Sequence, residues 1–157
     1  MIRKCTESDS KTMLKIVREV YDNLPFNRLL GLKVEFLEID QAGFNFTMKK
    51  DLIGNTVHRI LHGGVISAVL DTTGGMTATA AAVERIQGRS KAEVAERIAR
   101  IGTIDMRVDY LRPGRGTQFH STGTVMRTGR KVAVTRMELK NEASLLIAVG
   151  TGTYIVG

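Results

Sequence analysis

Apolar residues appear on every side of the stretch from Val65 to Val83, the pattern of a helix buried within a core. Upstream, Met13, Leu14, Val17, Val20, Tyr21 and Leu24 recur at helical spacing behind the start signal Ser8-Asp9-Ser10, and Pro25 ends the run. A short helical turn is predicted from Phe26 to Leu30, with Gly31 as its stop. The period then changes to two. Leu32, Val34 and Phe36 alternate along a strand from Leu32 to Ile39, a turn is expected over Asp40-Gln41-Ala42-Gly43, and Phe44, Phe46 and Met48 return. Residues 51–61 read as a loop.

Beyond Val83 the chain is charged up to Arg100, with a break at Gly88-Arg89-Ser90. Ser90 followed by Glu93 is a capping box, so a second helix is expected to run to Arg100. Four strands close the chain: one carrying Ile104, Met106, Val108 and Tyr110, one from Phe119 to Arg127, one from Lys131 to Lys140, and one from Ser144 to Val156. Ala133, Thr135, Met137 and Leu139 share a face of the third, and the unbroken run Leu145 to Val149 suits a central strand.

The buried helix carries two chemical resources. At its start, Gly63 and Gly64 leave free amides at the positive end of the dipole with no side chain to block an oxygen, a place to hold a developing oxyanion. Further in stands Asp71, an ionisable group on an apolar surface, where leaving it unpaired is costly. Ser67, one turn earlier, is placed to donate to it. Gly74, Gly75, Ala78 and Ala82 continue its face and make it flat enough for another backbone to approach. The plainer reading of Asp71 is a loop cap or the partner of an arginine. His62, just before the helix, is read as orienting the site rather than as an acid or base.

The sequence His62-Gly63-Gly64, with Asp71 eight residues beyond Gly63, resembles the hotdog-fold acyl-CoA thioesterases, in particular their PaaI-like branch. So do Val108-Asp109-Tyr110-Leu111-Arg112-Pro113-Gly114 and the later Thr128-Gly129-Arg130-Lys131. The resemblance covers about two thirds of the chain, from Leu32 to the end apart from the charged insertion. It implies an α+β hotdog fold, an antiparallel sheet wrapped around the long central helix. Residues 1–157 are expected to form one such domain, with 1–31 as a helical cover bordering the acyl pocket and 84–102 as an insertion.

The resemblance also implies roles. The Gly63 amide, aided by Gly64, polarises the thioester carbonyl, and Asp71 is the catalytic carboxylate, as nucleophile or as general base. Relatives often place a water-positioning asparagine six residues before the histidine; here that position is Thr56, with Asn55 beside it. The Ser or Thr that assists catalysis in some relatives has no assignable counterpart. The pantetheine arm passes along Tyr110, Arg112, Pro113 and Gly114, and Arg112, Arg115, Arg130 and Lys131 are candidates for the nucleotide phosphates. The substrate would be an aryl or medium- to long-chain acyl-CoA, with coenzyme A part of the substrate and no separate cofactor. A hotdog dehydratase or hydratase, and a non-catalytic acyl-CoA sensor, are the alternatives.

Helix geometry adds one constraint. Asp71 lies about 12 Å along the axis from Gly63, too far for both to meet one carbonyl within a straight helix. The pair therefore predicts a site shared between chains of a homodimer, with a tetramer also compatible.

Composition changes this picture little. A chain of 157 residues with one cysteine, Cys5, and no membrane-length apolar run reads as a cytoplasmic domain without disulfides or membrane insertion. The formal charge of +7 calls for an anionic partner. The basic residues are scattered without interleaved aromatics, which argues against nucleic acid. His58, His62 and His120 form no ligand spacing with Cys5 or Asp71, so no metal is expected.

Overall fold

In the computed structural model, residues 7–83 and 91–157 are described. The expected break at Gly88-Arg89-Ser90, the Ser90 cap and Cys5 lie outside them. The cover is α1 (Glu7–Asn23) and α2 (Pro25–Leu30). Gly31 closes α2 in the left-handed region at φ 78°, as a glycine stop should. Val17 is buried in the core, and Tyr21 and Met13 nearly so, which sets the inward stripe of α1.

Six strands form one antiparallel sheet. They are β1 (Lys33–Leu37), β2 (Gln41–Thr47), β5 (Gly102–Tyr110), β6 (Gln118–Thr128), β7 (Val132–Asn141) and β8 (Leu146–Ile155), in the order β1-β2-β6-β7-β8-β5. The first turn falls earlier than predicted: Ala42 and Gly43 already pair with β1 and β6, and Glu38 to Asp40 make the bend. Residues 53–61 are more than a loop. They form a small hairpin of β3 (Ile53–Asn55) and β4 (Ile60–Leu61), and a Cβ on Gly54 would lie 2.5 Å from the His62 backbone. Its polar, exposed tip has no alternating pattern to announce it.

The central helix α3 (Gly63–Ala82) lies on the inner face of the sheet. Its buried threonines are satisfied by bonds back to a carbonyl one turn earlier, Thr73 to Val69 at 2.7 Å, Thr77 to Thr73 at 2.8 Å and Thr79 to Gly75 at 2.7 Å. Thr73 also meets Ser121 of β6 at 2.5 Å. What fills the flat face beside Asp71 is a side chain rather than a backbone: the Tyr154 hydroxyl would lie 2.2 Å from a Cβ on Gly74. Helix α4 (Lys91–Ile98) follows in the insertion. Among the described residues no helix is long and apolar enough to cross a membrane.

Candidate active site

The start of α3 is built around His62. Its Nδ1 accepts the Gly64 amide hydrogen at 2.8 Å, so the imidazole is the N-cap. With Nδ1 accepting, the neutral ring carries its hydrogen on Nε2. The arrangement needs glycine at 64, since a Cβ there would sit 2.9 Å from Nδ1. It also occupies the Gly64 amide, so the expected second oxyanion donor is already used within the cap. The Gly63 amide, a first-turn donor with no partner inside the helix, is the one left to face a ligand.

Around Gly63 the structure gathers Tyr110, Arg112, Pro113 and Gly114 in a groove of about 330 Å³. Tyr110 donates its hydroxyl to the Gly63 carbonyl at 3.1 Å, tying the end of β5 to the helix start. Arg112 donates to the Leu146 carbonyl at 2.9 Å. Arg115 is exposed just beyond. Arg130 and Lys131 are elsewhere, in the turn between β6 and β7. Arg115 is anchored near Asn141 at the other end of that hairpin, whose carboxamide donates to its carbonyl at 2.9 Å. A ten-residue strand spans roughly 30 Å, so one chain does not bring the four basic residues into one anion site.

Asp71 sits one helical face further on, half-buried at the edge of a second cleft of about 240 Å³. Thr103, at the beginning of β5, donates to its Oδ1 at 2.8 Å. Ser67 does not: its hydroxyl turns back to the Gly64 carbonyl at 3.0 Å. No ion pair among the described residues involves Asp71, so the arginine-partner reading finds no support. Two phenols border the same cleft. Tyr154 donates to the Asp71 carbonyl at 3.2 Å, and Tyr21 meets Thr79 Oγ1 at 3.0 Å. Burial first, then the neighbouring Asp71 charge, drives the Tyr154 phenol well above its ordinary range. Burial likewise pushes Tyr21 up to about 12. Both are neutral hydroxyls at physiological pH.

Asn55 and Thr56 lie on the exposed β3–β4 hairpin, where Asn55 Oδ1 accepts the His58 amide at 2.9 Å. Neither lines the clefts around Gly63 or Asp71. His120 is on the outer face of the sheet, 3.0 Å from Glu35. The residue that the sequence concealed is Thr103.

Known proteins resemble this chain in sequence and in fold. The family model described as the thioesterase superfamily matches residues 58–148. The medium/long-chain acyl-CoA thioesterase YigI of Escherichia coli K12 is 46% identical over 145 residues, covering 92% of this chain and 94% of the relative. Among solved structures, a Shewanella oneidensis protein related to the thioesterase superfamily superposes with a TM-score of 0.88 at 50% identity, covering 94% of this chain and 97% of that one. The Escherichia coli PaaI protein, at 19% identity, shares the fold with a TM-score of 0.74 over 95% of this chain and 96% of its own. The chain belongs to the thioesterase superfamily and is a thioesterase of the hotdog fold.

Proposed function

We propose that this thioesterase hydrolyses medium- or long-chain acyl-CoA at a site shared by two copies of the chain, with Gly63 from one and Asp71 from the other. The thioester carbonyl oxygen accepts the Gly63 amide hydrogen. Asp71, with Oδ1 held by Thr103, uses its other oxygen to attack the carbonyl carbon or to take a proton from an attacking water. The C–S bond breaks, coenzyme A leaves as the thiol, and water supplies the second oxygen of the free acid.

The observation that carries this reading is the placement of β5. It is an edge strand, paired on one side only. Its first residues touch Asp71 through Thr103, and its last touches Gly63 through Tyr110. Antiparallel pairing of β5 with its own copy would lay the Thr103 end of each against the Tyr110 end of the other, which brings Asp71 towards the second Gly63. A two-fold axis at Met106 would also set Asp105 of each strand opposite Arg107 of the other. A dimer is thus the minimal unit, and a tetramer can be built from two. YigI, whose name states a medium/long-chain acyl-CoA activity, supports the substrate class.

The test is thiol release across a panel of acyl-CoA esters by the parent and by Asp71→Ala. The parent should turn over, and the variant should remain folded and be at least ~100-fold slower. A folded Asp71→Ala that hydrolyses every good ester at the parental rate would remove Asp71 from the mechanism. Tight binding without thiol release by the parent would mean a sensor instead.

A further inference from the structure

At several glycines on the inner face of this protein, a side chain would force a packed neighbour to move. A Cβ on Gly74 would lie 2.2 Å from the Tyr154 hydroxyl, one on Gly123 2.3 Å from Thr77 Oγ1, and one on Gly152 2.6 Å from the Tyr154 hydroxyl. Gly75 is different. A Cβ there would meet nothing nearer than the Tyr21 hydroxyl at 3.5 Å and the Tyr154 ring at 3.7 Å, both ordinary contacts. Its backbone is not in the left-handed region either. An interior glycine weakens a helix relative to alanine, so neither packing nor conformation accounts for it.

What Gly75 does is leave open one wall of the cleft beside Asp71. That cleft is bounded by Asp71, Thr72 and Gly75 of α3, by Tyr21 and Phe26 of the cover and by Tyr154. Gly75 is one helical turn, about 6 Å, beyond Asp71. Tyr21 is a fixed neighbour there, with its hydroxyl held by Thr79 and its ring 6.4 Å from that of Phe44.

Resting on the thioesterase reading above, we propose that Gly75 and Tyr21 form the end stop for the acyl chain and so set its length. An acyl group whose carbonyl is at Asp71 runs to Gly75, where the missing side chain leaves room for its end, and stops against the Tyr21 phenol. The cleft holds about 240 Å³. The α1–α2 cover thus acts as a measuring wall for the substrate.

The experiment is the profile of kcat/KM against acyl length, from acetyl to palmitoyl coenzyme A, for the full-length parent, Gly75→Ala and Gly75→Leu. Gly75→Leu should shift the optimum to shorter chains, with at least a ~10-fold loss on the longest good substrate and a far smaller loss on butanoyl coenzyme A. Gly75→Ala should move the profile the same way by a smaller step. Its new methyl makes only ordinary contacts, so it keeps the test decisive if the leucine variant does not fold. A folded Gly75→Ala profile superposing on the parent, or an equal loss at every length, would overturn the proposal. Absence of turnover by the parent on every ester would instead count against the thioesterase reading. The end stop would then be judged by the same length profile measured as acyl-CoA binding, and an unshifted binding profile would reject it.

Discussion

The Thr103 hydroxyl reaches Asp71 Oδ1 at 2.8 Å, across 32 residues of sequence, and joins the start of β5 to the middle of α3. A hydrogen bond to a charged group is worth about 1.5–3 kcal/mol. In a carboxylate proposed to act on the thioester, that bond fixes which oxygen is free and where it points.

Thr103→Val keeps the shape and removes the donor, so kcat should fall ~10- to 100-fold while KM changes little. Thr103→Ser should restore most of the rate. Steady-state kinetics with the unfolding midpoint measured alongside separates this from a packing effect. A valine variant with parental kcat would leave Thr103 as a mere structural contact.

Alternation along β5 places Thr103 in phase with Asp105 and Arg107, on the outer face. The register with β8 slips between Thr103 and Asp105, and the extra residue turns Thr103 to the inner side, opposite Tyr154. A bulge of that kind leaves no mark in the polar and apolar pattern. By contrast, the helix, the paired glycines and Asp71 were legible, because a helix fixes its own geometry from local spacing. The basic turns show the opposite limit. Arg112 and Arg130 are both read as turn residues, but they flank the strand β6, and its length keeps those turns at opposite ends. Ser67 had the right spacing for Asp71, yet a carbonyl within its own turn was the nearer partner.

The His62 cap makes a prediction about stability. His62→Ala should lose about 1 kcal/mol by denaturant unfolding, whereas His62→Asn, a good capping residue, should lose little. Gly64→Ala should behave like His62→Ala because its methyl displaces Nδ1 from the amide. If kcat follows stability across the three variants, the imidazole serves only as a cap. If His62→Asn is stable but slow, the Nε2 hydrogen takes part in the reaction.

Tyr21 gives the protein an alkaline weakness. Its phenol ionises near 10.0 in an unfolded chain and at about 12 when folded, mainly through burial, with the Thr79 hydrogen bond opposing and the Asp71 charge adding. A raised folded pKa means a contribution that is complete below pH 10, declines between 10 and about 12, and is lost above. Tyr154 is shifted in the same direction. Urea unfolding at pH 8, 10 and 11 should therefore show stability falling, by at most about 1.4 kcal/mol per pH unit for each phenol. Tyr21→Phe should have a shallower fall. Identical slopes for the two proteins would mean that the Tyr21 proton is not linked to folding.

The decisive prediction concerns the shared site, and it needs two parents that fail for different reasons. Asp71→Ala lacks the carboxylate. Gly63→Val keeps the amide but covers it with a branched side chain, and position 63 accepts one: its backbone is not left-handed, and a Cβ would meet only Tyr110, at 3.6 Å. Each homodimer then has two broken sites. Refolded together at equal amounts, the two chains should form mixed dimers in about half of all cases if pairing is statistical. A mixed dimer has one site with both defects and one with neither, since the chain lacking Asp71 supplies an intact Gly63 and the other supplies an intact Asp71. Activity should recover to roughly a quarter of the parental value, about 25-fold above either variant alone if each loses ~100-fold. Subunit exchange is verified by a tag on one parent. No recovery in a verified mixture would mean that Asp71 and Gly63 do not serve the same carbonyl, and the edge strand β5 would then need another partner.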